Sequence, residues 1–293
     1  MSGDPHAMTP GSTPGAVDEP ELVSYAQNAE DIRLLKALRD VTDGFWVDVG
    51  AAHPTNGNTT RLFSERGWTG INIEPGPLFD ELAAERTRDV NLEVVVGRTE
   101  GERALTVTYP DIGLSTVRPD ALSRLGTEHV ATTHVLTRPQ HTLARVLDEH
   151  ATGRAIHFLK VDVEGAEEEV LASADWTRHR PWIVVVEAVE AWSDTPTHAQ
   201  WEERLTGSGY EFAVFDGLNR FYVADEHRER AAALASPVSP VDRFVTWEVR
   251  DLRDRTARAE QEATRLEGIA HEAIAARRAR VHASLPQFVA ALD

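Results

Sequence analysis

The sequence predicts an α/β fold: a mainly parallel sheet with crossover helices, an antiparallel edge hairpin, and a C-terminal helical extension. Three observations carry this. Between Phe45 and Tyr222, short Val- and Ile-rich runs alternate with amphipathic, charged stretches, as parallel strands and their crossover helices do. Only three residues, Asp216 and Gly217 among them, separate the last two runs, which is hairpin spacing. After Pro240, the residues Val245, Val249, Leu252, Thr256, Ala259, Ala263, Leu266, Ala270 and Ala273 step alternately by four and three, a heptad seam.

In chain order, the expected strands are 45–49 (FWVDV), 70–73 (GINI), 92–96 (LEVVV), 156–161 (IHFLKV), 182–187 (WIVVVE), 210–215 (YEFAVF) and 219–224 (NRFYVA). Helices are expected near 57–66, 77–86, 142–149, 164–171 and 198–207. Residues 1–20, rich in Gly, Pro, Ser and Thr, cannot repay the entropy of ordering and read as a flexible tail. Residues 21–239 form the main domain. Residues 240–293 form the helical extension, which suits packing on that domain or on a second subunit as a homodimer.

The chain has 293 residues and 41% hydrophobic content, enough for a sizeable core. Against 30 basic residues stand 48 acidic ones, a formal charge of -18, which opposes binding to a phosphate backbone. Nucleic acid is therefore not an expected partner. Residues 241–293 contain nine acids and nine bases, so the whole acidic excess lies upstream. The absence of Cys excludes disulfides, thiolate metal sites and cysteine nucleophiles. No apolar run approaches the roughly 18 residues of a membrane span, and no basic, apolar leader opens the chain; a cytoplasmic protein acting on a small molecule is expected.

The most informative stretch is FWVDVGAAHPTNGNTT, a buried-strand pattern that ends on Asp48 and turns through Gly50, Ala51 and Ala52. Small residues there let a ligand approach the backbone, and the next helix would present free amides. A ligand-free tight turn has the same sequence. Glu74, with Pro75 after it, ends the second strand 24 residues beyond Gly50, where a carboxylate can accept both ribose hydroxyls of a nucleoside. No G-x-G-x-x-G is present and no Lys or Arg cradles a phosphate, so S-adenosylmethionine suits the site better than NAD.

Several segments in order then resemble the FkbM-type methyltransferase family over roughly residues 24–227: SYAQNAED, DVGAAHP, GWTGINIEP, GLST, FLKVDVEGAE and FDGLNRFYV. The resemblance implies a class I methyltransferase Rossmann-like fold and S-adenosylmethionine as methyl donor. It also implies a hydroxyl acceptor on a sugar, polyketide or similar metabolite of natural-product biosynthesis. Asp48 and Gly50 would flank the methionine part of the donor, Glu74 the ribose, and Gly97 and its neighbours the adenine. Gln27, Asn28, Glu30 and Asp31 would fold over the donor, or simply cap a helix. At Ala52 and Gly97 the chain departs from the family's usual Asn and Ser.

Asp162 and Glu164 end the fourth main strand, and Glu187 ends the fifth. Three carboxylates around one cleft can hold Mg²⁺, which would clamp acceptor oxygens and lower the pKa of the attacking hydroxyl. Equally, Glu164 can start a helix and Glu187 merely end a strand. For the base that removes one proton, the candidates are Asp162 and His53. Trp192 and Trp201 can form an acceptor wall or pack internally; Trp46, Trp68, Trp176 and Trp182 read as core. Two other classes compete with a methyltransferase: an oxidoreductase using NAD or a nucleotide-sugar, and an inactive binding or scaffold protein.

Overall fold

The computed structural model describes residues 21–289, with side chains to residue 280; the expected tail at 1–20 lies outside the described residues. The chain opens with β1 (Leu22–Ser24) and α1 (Glu30–Ala37). There follow β2 (Phe45–Val49), α2 (Arg61–Glu65), β3 (Thr69–Ile73), α3 (Phe79–Glu85) and β4 (Val90–Leu92), whose strands pair in parallel. The short β5 (Val95–Val96) leads into a long hairpin of β6 (Gly101–Pro110) and β7 (Val130–His141). Crossovers resume with α4 (Leu143–His150), β8 (Phe158–Val161), α5 (Glu167–Ala172), β9 (Ile183–Glu187) and α6 (Glu202–Thr206). Thr142 starts α4 by accepting a hydrogen bond from the Arg145 amide at 3.2 Å. The chain then forms β10 (Tyr210–Phe215), β11 (Asn219–Ala224), α7 (Ala231–Ala235), β12 (Phe244–Thr246) and α8 (Trp247–Val289).

Seven strands make the main sheet, in the order β10-β11-β9-β8-β2-β3-β4, and only β11 runs against the others. The expected hairpin is present, but its second strand is the inner one. β11 carries Phe221, Tyr222 and Val223, all fully buried, whereas β10 is mostly exposed or half-buried, so the more apolar strand takes the covered position beside β9. β2 is buried at all five residues, and successive side chains serve opposite faces. Val47 and Val49 join a core with Ile73, Leu159 and Val186; Trp46 joins another with Phe63, Trp68 and Phe158.

One expectation needs correction, and one element is new. The run 92–96 is not one strand: Val90–Leu92 closes the main sheet, while Val95–Val96 pairs with β7 in a separate three-stranded sheet. The β6–β7 hairpin was not foreseen, because β7 is exposed along most of its length and carries little apolar patterning.

β1 and β12 pair in parallel, Leu22 opposite Phe244, and Tyr25 stacks on Trp247 with centroids 5.6 Å apart. This joint fixes the base of α8. Every residue from Leu252 to Arg280 is exposed, including Leu252 and Leu266 of the heptad seam at 63% and 52%. Among the described residues no helix is long and apolar enough to cross a membrane.

Candidate active site

A cavity of about 1000 Å³ opens at the carboxyl ends of β2, β3, β8 and β9, the edge at which ligands bind in open α/β sheets. Its floor is set by the turn after β2. Gly50 lies at φ +86°, and a Cβ there would fall 1.7 Å from the Asp162 carbonyl oxygen, so only glycine fits. The Gly50 and Ala51 amides both donate to the Ile73 carbonyl, at 2.9 and 3.1 Å, and tie the turn to β3. Asn58 stiffens the following loop: its amide group donates to the Ala51 and His53 carbonyls at 3.1 and 3.0 Å.

Glu74 is 8% exposed and reaches back to this turn. Its Oε2 accepts from the Ala52 amide at 2.8 Å and its Oε1 from the Gly76 amide at 2.6 Å. Burial raises its pKa despite these two amides. Each oxygen keeps a lone pair, and Glu74 and Pro75 both line the cavity with Val94, Val95 and Val96. Asp48 is 1% exposed, and its Oδ1 has no hydrogen-bond partner among the described residues. Burial raises its pKa too, with Lys160 partly opposing. An orphaned acid beside a backbone cradle and a ribose-type acceptor fits the charged end and the sugar of S-adenosylmethionine.

Across the cavity stand Asp162, Glu164 and Glu187, which the fold brings together: one oxygen from each lies within 4.8 Å of the others. Burial, and then the charge of Asp162, pushes the pKa values of Glu164 and Glu187 well above the ordinary value. Glu164 holds a left-handed backbone, φ 55°, and its carbonyl accepts from Thr116 Oγ1 at 2.7 Å, fastening the 111–117 segment over the site. Lys160, from β8, donates to Asp162 Oδ2 at 2.8 Å. Burial works against its charge, yet Asp162, Asp48 and Glu30 together raise its pKa above the lysine value.

Other candidates sort clearly. Gln27 lines the cavity, but Asn28 does not; its side chain donates to the Asp216 carbonyl at 3.1 Å. Asp31 accepts from Ser24 Oγ and the Tyr25 amide, both at 2.7 Å, and so ties α1 to the segment after β1; α1 itself has no side-chain cap. Glu30 accepts from the Asn28 amide at 2.8 Å and from Asn219 Nδ2 at 2.7 Å. Gly97 is not among the lining residues: its amide donates to the His141 carbonyl and a Cβ would meet Gln140 at 2.8 Å.

His53, one of the two candidate bases, lies outside the cavity lining. Its Nδ1 accepts from the Thr55 and Asn56 amides, both at 3.0 Å, and Nε2 lies 3.4 Å from Glu81, so the ring braces the loop outside the cavity lining. Trp201 is 2% exposed and packs in the core. Trp192, by contrast, is 70% exposed, holds φ 53° and lines the cavity, stacked on His129 with centroids 4.2 Å apart.

Sequence reasoning assigned no role to Lys160 or to the 111–117 segment. A lysine inside the buried run FLKV, two residues before an acid, was the available signal for the first. The second had none beyond GLST.

Residues 48–212 match the family described as Methyltransferase FkbM domain. Among solved structures, a methyltransferase FkbM from Methylobacillus flagellatus is 14% identical with a TM-score of 0.36, over 62% of this chain and 43% of that one. This chain therefore spans less than half of that relative's length. A TehB-like SAM-dependent methyltransferase from Corynebacterium glutamicum is 12% identical with a TM-score of 0.35, over 66% and 86%. A comparison with curated proteins gives no match. Because the domain match covers more than half of the chain and runs from Asp48 of the donor turn to Phe212 of β10, the chain belongs to the FkbM family of S-adenosylmethionine-dependent methyltransferases.

Proposed function

We propose that the protein is an O-methyltransferase that moves a methyl group from S-adenosylmethionine to a hydroxyl of a small polyhydroxylated metabolite, such as a sugar, glycoside or polyketide. One observation carries this reading: a single cavity joins the Asp48–Glu74 donor cradle to the carboxylates of Asp162, Glu164 and Glu187. When bound, the donor supplies an electrophilic methyl group on a sulfonium. Glu74 receives the ribose hydroxyls, Asp48 faces the methionine ammonium, and Val94 to Val96 present an apolar wall to the adenine. Asp162 is anchored through Oδ2 by Lys160. Its carboxylate takes the acceptor hydroxyl's proton as the oxygen–methyl bond forms and the sulfur–methyl bond breaks.

The proposal includes a divalent cation such as Mg²⁺ at Asp162, Glu164 and Glu187. Their oxygens are close enough to share one hard ion, and Glu187 is 7% exposed. Such an ion would orient acceptor oxygens and lower the hydroxyl pKa.

Calorimetric titration with S-adenosylmethionine, NAD and UDP-glucose tests the donor; binding of the first alone is expected, and its failure to bind overturns the reading. EDTA is expected to abolish turnover, whereas full activity in EDTA removes the metal from the proposal.

A further inference from the structure

We infer that α8 is the interface with a second copy of this chain, and that the two helices pair antiparallel about a two-fold axis between Ala257 and Arg258. The helix leaves the main domain early. Trp247 stacks on Tyr25, and Arg250 and Arg253 reach Glu21 at 3.8 and 2.9 Å, but every residue from Leu252 to Arg280 is exposed. A helix of that length, solvated all round and interrupted by Gly268, has no packing within one copy to support it. The apolar seam is free to meet a partner: Val249 lies about half a turn round from Trp247 and is 42% exposed, with Leu252 and Leu266 at 63% and 52%.

Charge selects the partner and its direction. Arg277 and Arg280 continue the seam by the same four-and-three steps. In a parallel pair each would face its own counterpart inside the seam, and Glu262 would lie beside the partner's Glu267. Antiparallel pairing avoids both conflicts. Val249 then meets the partner's Leu266, Leu252 the partner's Ala263 and Thr256 the partner's Ala259, so each leucine faces a smaller residue. At the flanks Arg253 lies beside the partner's Glu260 and Arg255 beside the partner's Glu262; the two-fold axis repeats both contacts, and no like charges are opposed. All four of these side chains are exposed. The matched seam, residues 249–266, is about 27 Å long at 1.5 Å per residue. Beyond it, Arg277, Arg278 and Arg280 come alongside the partner's main domain, and the whole acidic excess of the sequence lies upstream of α8.

The chain has no cysteine, so introduced thiols report the pairing directly. Light scattering on the full chain is expected to give twice the 32.4 kDa of one copy, and a Glu260→Arg, Glu262→Arg double variant is expected to fall to one copy. Leu252→Cys and Ala263→Cys, both at exposed positions, are purified separately and oxidised alone and after mixing and exchange. A disulfide-linked dimer is expected from the mixture and from neither variant alone. A single-copy mass for the parent chain, a dimer that survives the charge reversal, cross-linking by either cysteine variant alone, or no cross-link in the mixture overturns the inference.

Discussion

On the proposed donor side of the cleft, the cavity-lining acid is held by main chain: Glu74 takes the amides of Ala52 and Gly76, and the Gly50 turn is stitched to the Ile73 carbonyl. On the acceptor side the holding is done by side chains and by loops in unfavourable backbone conformations. Asp162 depends on Lys160, Glu164 sits at φ 55° and Trp192 at φ 53°. The donor half is thus a backbone device that needs particular conformations more than particular side chains. The acceptor half is a charge device whose shape is set by side chains and loops.

The comparison can be broken by substitution. Gly50→Ala should have the largest effect, because its Cβ would overlap the Asp162 carbonyl and the φ of +86° disfavours any side chain. A stability loss of about 3 kcal/mol or more and loss of donor binding are expected, read by thermal melting and titration. An unaltered melting temperature would show that the turn yields. Asp162→Asn should instead lower kcat by roughly 10²–10³-fold while leaving the donor Kd within about threefold. An equal loss of donor affinity would erase the distinction between the halves.

The smallest effect concerns Glu30, buried at the start of α1 and held by the Asn28 amide and Asn219 Nδ2. Burial pushes its carboxyl up to about 7 from the ordinary 4.5, so above pH 4.5 the folded protein retains a proton that the unfolded chain has released. Stability from this group therefore falls as pH rises from about 4.5 to about 7 and is level above that. Glu30→Gln should remove that decline, so that its melting temperature depends less on pH between about 5 and 8 than the parent's. Parallel curves for the two proteins would show that Glu30 does not titrate in this window.

The same contrast explains what the sequence disclosed. β2 and β3 are largely apolar runs, one carrying Asp48 next to its end and the other stopping just before Glu74, and strand, turn and acid announce themselves locally. The acceptor carboxylates could be placed at strand ends, but only the fold shows their oxygens sharing one niche. His53 reads as a candidate base in sequence, and nothing local reveals that its Nδ1 is occupied by two amides. Trp192 and Trp201 follow the same strand, yet one is exposed and the other buried, a difference that tertiary packing alone decides. Likewise LEVVV declares that it is apolar, but not that its two ends pair with different sheets.

The inverted order of the last hairpin bears on how the chain can fold as it is made. β10 precedes β11 in synthesis, yet its place in the sheet exists only after β11 has docked on β9. Until residue 224 is available, β9 is therefore an unpaired edge, with Val184 to Val186 carrying the apolar surface that invites intermolecular pairing. Closure of β1 on β12 waits longer still, joining residues 22–24 to 244–246. Assembly of the methyltransferase sheet is consequently finished from its C-terminal end, and a nascent chain halted before β11 would hold a nearly complete donor cradle on an aggregation-prone sheet.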